Sequence, residues 1–245
     1  MKTVLTILGT RPEAVKLAPV LKELGRRKSR VRSLVCVTGQ HRELLDPMLG
    51  FFGIRPDFDL RVMRENQTLA GLTARLLAAL DPALAETKPD WVVVQGDTTT
   101  VMAAALAAYY RGIRVAHVEA GLRTGNKYSP FPEEINRRMA GVLADAHFAP
   151  TPLAVRNLRK EGVSADRICL SGNTVVDALN WAVRIVRKDP PRRPGDIPAL
   201  RKGGRLILVT GHRRENFGKG MEQMCLALRD VAEALPDAEL VYPVH

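Results

Sequence analysis

Five short segments of the sequence gather residue types able to hold an anion and move protons. In Gly9-Thr10-Arg11-Pro12-Glu13-Ala14-Val15-Lys16 a glycine fit for a tight turn precedes a proline suited to a first helical position, so the helix that follows presents amides able to receive an anion. Arg11 fits phosphate oxygens bidentately, and Lys16, one turn into the helix, adds a point charge. The same residues also read as a capped helix with surface charges, and the segment is neither a GxGxxG nor a Walker loop. In Gln95-Gly96-Asp97-Thr98-Thr99-Thr100, Asp97 either caps the next helix or faces a ligand. His117 and Glu119, two apart on a strand, share one side of it. Their spacing fits a metal pair, but no further ligand cluster accompanies them, and Glu119 before a Gly-rich loop also reads as a base or hydroxyl anchor. Glu133 and Glu134 open a helix, where a carboxylate complements the dipole; that account serves either residue but not obviously both. His212 and Arg213, after a later strand, read as a diphosphate grip or as a solvated charged turn. Three carboxylates and a histidine distributed in this way can handle protons around a bound anion.

These segments act together only if strand ends bring them to one place. Strands are expected at Val4–Leu8, Leu34–Thr38, Trp91–Gln95, Val115–Val118, Ala146–Ala149, Ile168–Leu170, Leu206–Thr210 and Leu240–Val244. Helical periodicity fits Pro12–Arg27, Arg42–Phe52, Leu69–Glu86, Thr99–Tyr110, Glu133–Leu143, Leu153–Glu161, Val175–Arg187 and Gly218–Ala234. Continuous apolar strands alternating with amphipathic helices specify an α/β fold with a doubly wound parallel sheet, whose ligands sit beyond the carboxyl ends of the strands. The first six strands make a Rossmann-like domain over residues 1–172, and residues 173–245 hold a linker and the first βαβ portion of a second such domain. One strand–helix–strand unit buries too little to stand alone, so the second domain is expected to be incomplete.

The composition excludes several classes. The 245 residues carry 37 Lys+Arg against 26 Asp+Glu, a net charge of +11, with 46% hydrophobic residues. That apolar fraction argues against disorder, and no apolar run approaches the ~18 residues of a membrane helix. The excess charge sits in two places: Arg26 to Arg32 contributes five positive charges, and Arg184 to Arg205, with its Pro-rich Asp189–Gly195 stretch, a net of six. The remainder balances at 24 of each sign. Neither basic segment holds an aromatic platform, so nucleic acid is not the expected partner. Cys36, Cys169 and Cys225 stand singly among apolar residues and read as small buried hydrophobes of a reducing cytoplasm.

Read in order, GTRPEAVKLAP, TGQHRELLD, GDTTT, HVEAGLRTG, PFPEEINRR, GNTVVDAL, TGHRREN and YPVH closely resemble the bacterial non-hydrolysing UDP-N-acetylglucosamine 2-epimerases from about residue 3 to residue 245. The resemblance implies two Rossmann-like domains of the glycosyltransferase-B type with the active site in the cleft, a UDP-sugar substrate and UDP as partners, a homodimer, and no nicotinamide or metal. It implies epimerisation at C2, interconverting UDP-N-acetylglucosamine and UDP-N-acetylmannosamine for bacterial surface polysaccharides. Carried over by motif, Asp97, Glu119 and Glu133 are the acid–base carboxylates, His212 engages the diphosphate, and Arg11 and Lys16 bind substrate phosphates or position the cleft. An activating second UDP-sugar, where it operates, would involve Gln40, Glu43, Gln67, Glu133, Arg213 and His245. A hydrolysing epimerase and an inactive UDP-sugar-binding fragment are the alternatives. The family continues past YPVH into segments that hold uridine, so these 245 residues alone are expected to bind UDP weakly and turn over negligibly.

Overall fold

The computed structural model describes residues 1–39, 42–64, 66–190, 204–210 and 219–243, with the main chain alone at 42–44 and 219. The chain divides into two compact units, Met1–Asp189 and Pro190–His245.

In the first unit, β1 (Lys2–Leu8) sends Leu5 and Ile7 to one face of a sheet and Val4 and Leu8 to the other, and both sets are buried. Such strands need a cover of helices on each side, and the succeeding segments supply it. They run α1 (Arg11–Arg26), β2 (Val31–Val37), α2 (Arg42–Phe52), β3 (Phe58–Asp59), α3 (Leu69–Thr87), β4 (Trp91–Gln95), α4 (Thr99–Tyr110), β5 (Arg114–Val118), α5 (Glu133–Leu143), β6 (Ala146–Ala149), α6 (Pro152–Lys160), β7 (Ile168–Leu170) and α7 (Thr174–Lys188). The seven strands are parallel in the order β3-β2-β1-β4-β5-β6-β7. This is the doubly wound, Rossmann-like sheet expected from the pattern, and its order reverses between β1 and β4. Helices α3 and α4 close one core with Leu5, Ile7, Val92, Val94 and Val115. Helix α1, with Leu45 and Leu49 of α2, closes the other over Val35, Val37, Val93, Ala116 and Val118. The Ala-rich α4 is buried almost all round because it lies against the sheet, α3 and α5 together.

Three expectations change. The two-residue β3 was not foreseen; it is an edge strand beside β2, too short to show any periodicity. The expected division at residue 172 falls inside the first unit, because α7 packs on α1: Ala178 joins Ala18 and Phe52, and the Trp181 ring lies 5.1 Å from Phe52 with Lys22 Nζ 3.8 Å above it. Of the cysteines only Cys36 is buried, and burial together with the Asp59 charge pushes its thiol up to about 12. Cys169 is exposed on β7, the outermost strand, and Cys225 is exposed in the second unit.

In the second unit β8 (Arg205–Leu208) and β9 (Ala238–Val241) pair in parallel, with α8 (Lys219–Ala234) between them in the chain. No helix among the described residues is long and apolar enough to cross a membrane.

Candidate active site

Open parallel sheets bind ligands where the strand order reverses, which here means the carboxyl ends of β1 and β4 and the β5 end beside them. At the first of these a buried carboxylate occupies the two amides that lead into α1. Glu13, only 2% exposed, accepts hydrogen bonds on one oxygen from the Gly9 amide at 2.5 Å and the Thr10 amide at 3.0 Å, and on the other from the Thr98 hydroxyl at 2.5 Å. Burial pushes its carboxyl from the ordinary 4.5 up to about 7, against the pull of the Thr98 hydroxyl and the two amides, with the Asp97 charge pushing the same way. Arg11, the first residue of α1, is partly exposed and makes no ion pair among the described residues.

At the second strand end Asp97 is not the cap of α4. Thr98 takes that role, accepting from the Val101 amide at 3.3 Å, and this leaves the Asp97 carboxylate to meet Arg137 Nη2 at 2.5 Å. Burial raises the proton affinity of Asp97; the Arg137 charge and hydrogen bond pull it down, and the charges of Glu133 and Glu119 push it up again, for a net rise. Both other expected carboxylates thus lie close enough to act on Asp97.

Glu119 ends β5 with a left-handed φ of +63°, a conformation uncommon for a non-glycine residue. Lys16 Nζ donates to one of its oxygens at 2.7 Å and Asn173 Nδ2 to the other at 3.1 Å. The bend continues through Gly121, at φ +87°, where a side chain would collide with the Ala154 carbonyl of α6; Asn157 of the same helix donates to the Gly121 carbonyl at 2.9 Å. The two acids opening α5 divide their work. Glu134 is fully buried and accepts from the Thr124 and Gly125 amides at 3.1 and 3.3 Å. Although burial opposes it, these bonds and Arg137 hold its carboxyl below the usual range. Glu133 makes no hydrogen bond or ion pair among the described residues and acts on Asp97 through its charge.

His117 Nε2–H donates to the Gly96 carbonyl at 2.7 Å, while Glu119 is held by Lys16 and Asn173. Among the described residues no group of three His, Cys, Asp or Glu converges as a metal site. Gln67, in the turn before α3, accepts from the Arg75 guanidinium and from the Arg64 amide at 3.3 Å, and is held by its own loop. Gln40, His212, Arg213 and His245 lie outside the described residues, as does the side chain of Glu43. Sequence reasoning missed Glu13, Arg137 and Asn173. Glu13 had a signal, since Thr10 followed three residues later by Glu is the pattern of a capping box.

The family model described as UDP-N-acetylglucosamine 2-epimerase matches residues 22–245. The chain is 52% identical over 244 residues to the UDP-N-acetylglucosamine 2-epimerase of Bacillus subtilis, covering 99% of this chain and 62% of the relative. It is 50% identical over 245 residues to that of Escherichia coli K12, covering 99% and 65%. The crystal structure of the Neisseria meningitidis UDP-GlcNAc 2-epimerase bound to UDP-GlcNAc superposes with a TM-score of 0.91 at 44% identity, over 99% of this chain and 66% of that one. The chain thus spans a little under two thirds of the length of these relatives. With its sheet, its strand-end carboxylates and its match to the family over nearly all its length, the chain belongs to the UDP-N-acetylglucosamine 2-epimerase family.

Proposed function

We propose that the chain carries the acid–base half of a non-hydrolysing UDP-N-acetylglucosamine 2-epimerase. The observation that carries the reading is the convergence at the β4 and β5 ends of three carboxylates, with Asp97 holding its proton more tightly than an ordinary aspartate. The C2–H of the sugar is a poor acid, so its removal needs a placed base while the C1–O bond to UDP breaks. The electron pair of the C2–H bond forms the C1=C2 double bond of a 2-acetamidoglucal as UDP leaves with the C1–O pair. UDP then adds back at C1 while a proton reaches C2 from the opposite face. Two opposed carboxyl groups, one protonated and one ionised, supply both proton steps. Asp97 has its proton affinity raised by burial, and the Glu119 carboxylate is oriented by the Lys16 ammonium and the Asn173 amide. Glu133 tunes the pair by charge, Arg11 takes the diphosphate, and His212 assists its departure.

A homodimer of this chain fits the exposed apolar side chains on and beside α5, with Val142 84%, Tyr110 72% and Tyr109 60% exposed. The free cysteines suit work in the reducing cytoplasm, on precursors of surface polysaccharide. Activation by a second UDP-sugar through Gln40, Glu43, Gln67, Glu133, Arg213 and His245 belongs to the same proposal.

The test uses the chain in molar excess over UDP-N-acetylglucosamine in D2O, followed by proton NMR. Slow loss of the C2 proton to solvent, amounting to far less than one turnover per chain in keeping with weak UDP binding, is expected from the parent and none from Asp97→Asn. Bound nucleotide sugar without C2 exchange would refute the reading, and free N-acetylmannosamine with UDP would mark hydrolysis instead.

A further inference from the structure

We propose that Glu13 is a positioning residue for this chemistry, its carboxylate clasping the β1–α1 turn to the β4–α4 turn and so fixing where Asp97 meets Arg137. The proposal rests on Asp97 being an acid–base group. Asp97 hangs between two neighbours. Upstream, Gly96 has φ +83° and no atom within 4 Å of the place a Cβ would take, so packing does not hold it. It is held from β5 instead, its carbonyl by His117 Nε2 at 2.7 Å and its amide by the Val118 carbonyl at 3.0 Å. Downstream, Thr98 donates its only hydroxyl proton to Glu13, 85 residues away in sequence, and accepts from Val101, so its rotamer is set from both sides. The other Glu13 oxygen is filled by Gly9 and Thr10, which makes the clasp a three-point tie between turns that no main-chain pairing joins.

A carboxylate one residue from a released anchor can drift by an ångström, enough to cost a large factor in rate. The charges involved are few: Asp97 faces Glu13, and Arg137, Glu133 and Glu119 face Asp97.

The test compares Thr98→Val, which cannot donate, with Thr98→Ser, which can. Glu13→Ala breaks the same tie from the other side and leaves the α4 cap intact. Two quantities are read on the full chain: the rate of C2 exchange against UDP-N-acetylglucosamine concentration, and the titration of Asp97 by carbon NMR of its carboxyl. Thr98→Val is expected to slow the saturating rate about tenfold or more, with the half-saturating concentration within about threefold of the parent, and Thr98→Ser to restore it. Freed from its buried setting, Asp97 should titrate lower in Thr98→Val and unchanged in Thr98→Ser. If Thr98→Val leaves both rate and titration at parental values, or loses rate only in proportion to its unfolded fraction by circular dichroism, the clasp is wrong. If no variant, parent included, exchanges C2 while the Asp97 titration still responds to Thr98→Val, the clasp stands and the epimerase reading falls.

Discussion

Lowering the pH should attack this protein at one pair of buried histidines before any other group. His117 on β5 lies directly beside His147 on β6, and each is 1% exposed. His117 keeps one hydrogen bond, to Gly96, while neither ring nitrogen of His147 has a partner of hydrogen-bond geometry. Burial pulls both from the ordinary 6.5 down to about 4, helped by nearby Arg123 and, for His147, by Arg167, with the Ala144 carbonyl offsetting this slightly. The unfolded chain therefore binds protons that the folded one refuses. The stabilisation is complete above pH ~6.5 and is lost as the pH falls toward the folded value near 4. A drop of 2.5 units corresponds to about 3 kcal/mol for one histidine, and the solvated Arg167 beside His147 brings that residue nearer about 2 kcal/mol. Domain stabilities are only about 5–15 kcal/mol, so the pair together decides the acid limit. His147→Leu removes one of the two groups and loses only its poorly aligned contact with the Ala144 carbonyl, so it should be near neutral or stabilising at pH 7. Urea denaturation followed by circular dichroism at several pH values from 7 to 4.5 should show the variant gaining about 2 kcal/mol on the parent as the pH falls. Parallel pH profiles for the two proteins would refute the reasoning.

Three further outcomes follow from the geometry. Gly121→Ala puts a Cβ into the Ala154 carbonyl at φ +87° and should cost about 3 kcal/mol or more, whereas Gly125→Ala, at φ +79° in open space, should cost about 1 kcal/mol; thermal melts of the two separate collision from backbone preference. Arg137→Gln removes the group that draws the Asp97 proton affinity down, so Asp97 should titrate higher and the pH profile of C2 exchange should move up with it; a downward move would contradict the assigned electrostatics. A thiol reagent should modify Cys169 and Cys225 rapidly in the native chain and Cys36 only on unfolding, read by mass spectrometry; early loss of the Cys36 thiol would contradict the sheet packing.

Much of this is legible in the sequence. Strands such as Trp91–Gln95 are apolar on both faces, and only a sheet covered on both sides accommodates that. Placing Asp97 and Glu119 just past strand ends, and Lys16 one turn into the helix after β1, followed from the same alternation. Their partners did not follow. Arg137 lies 40 residues from Asp97, and Asn173 lies 54 from Glu119, so pairing depends on how α5 and α7 seat against the sheet. Asp97 looked like a cap because acidic residues favour that position, but the chain turns one residue later and Thr98 caps instead. The domain boundary shifted for a similar reason: the apolar face of α7 reads the same whichever unit it covers, and only its contact with Phe52 and Ala18 assigns it.

The seat of α6 against Gly121 reaches beyond local packing. The Ala154 carbonyl occupies the space a side chain would need, and Asn157 grips the Gly121 carbonyl, so the bend carrying Glu119 and the first turns of α6 move as one body. The outer surface of α6, where Arg156 and Arg159 flank a cavity of about 430 Å³, is thereby joined through two contacts to the loop that carries Glu119.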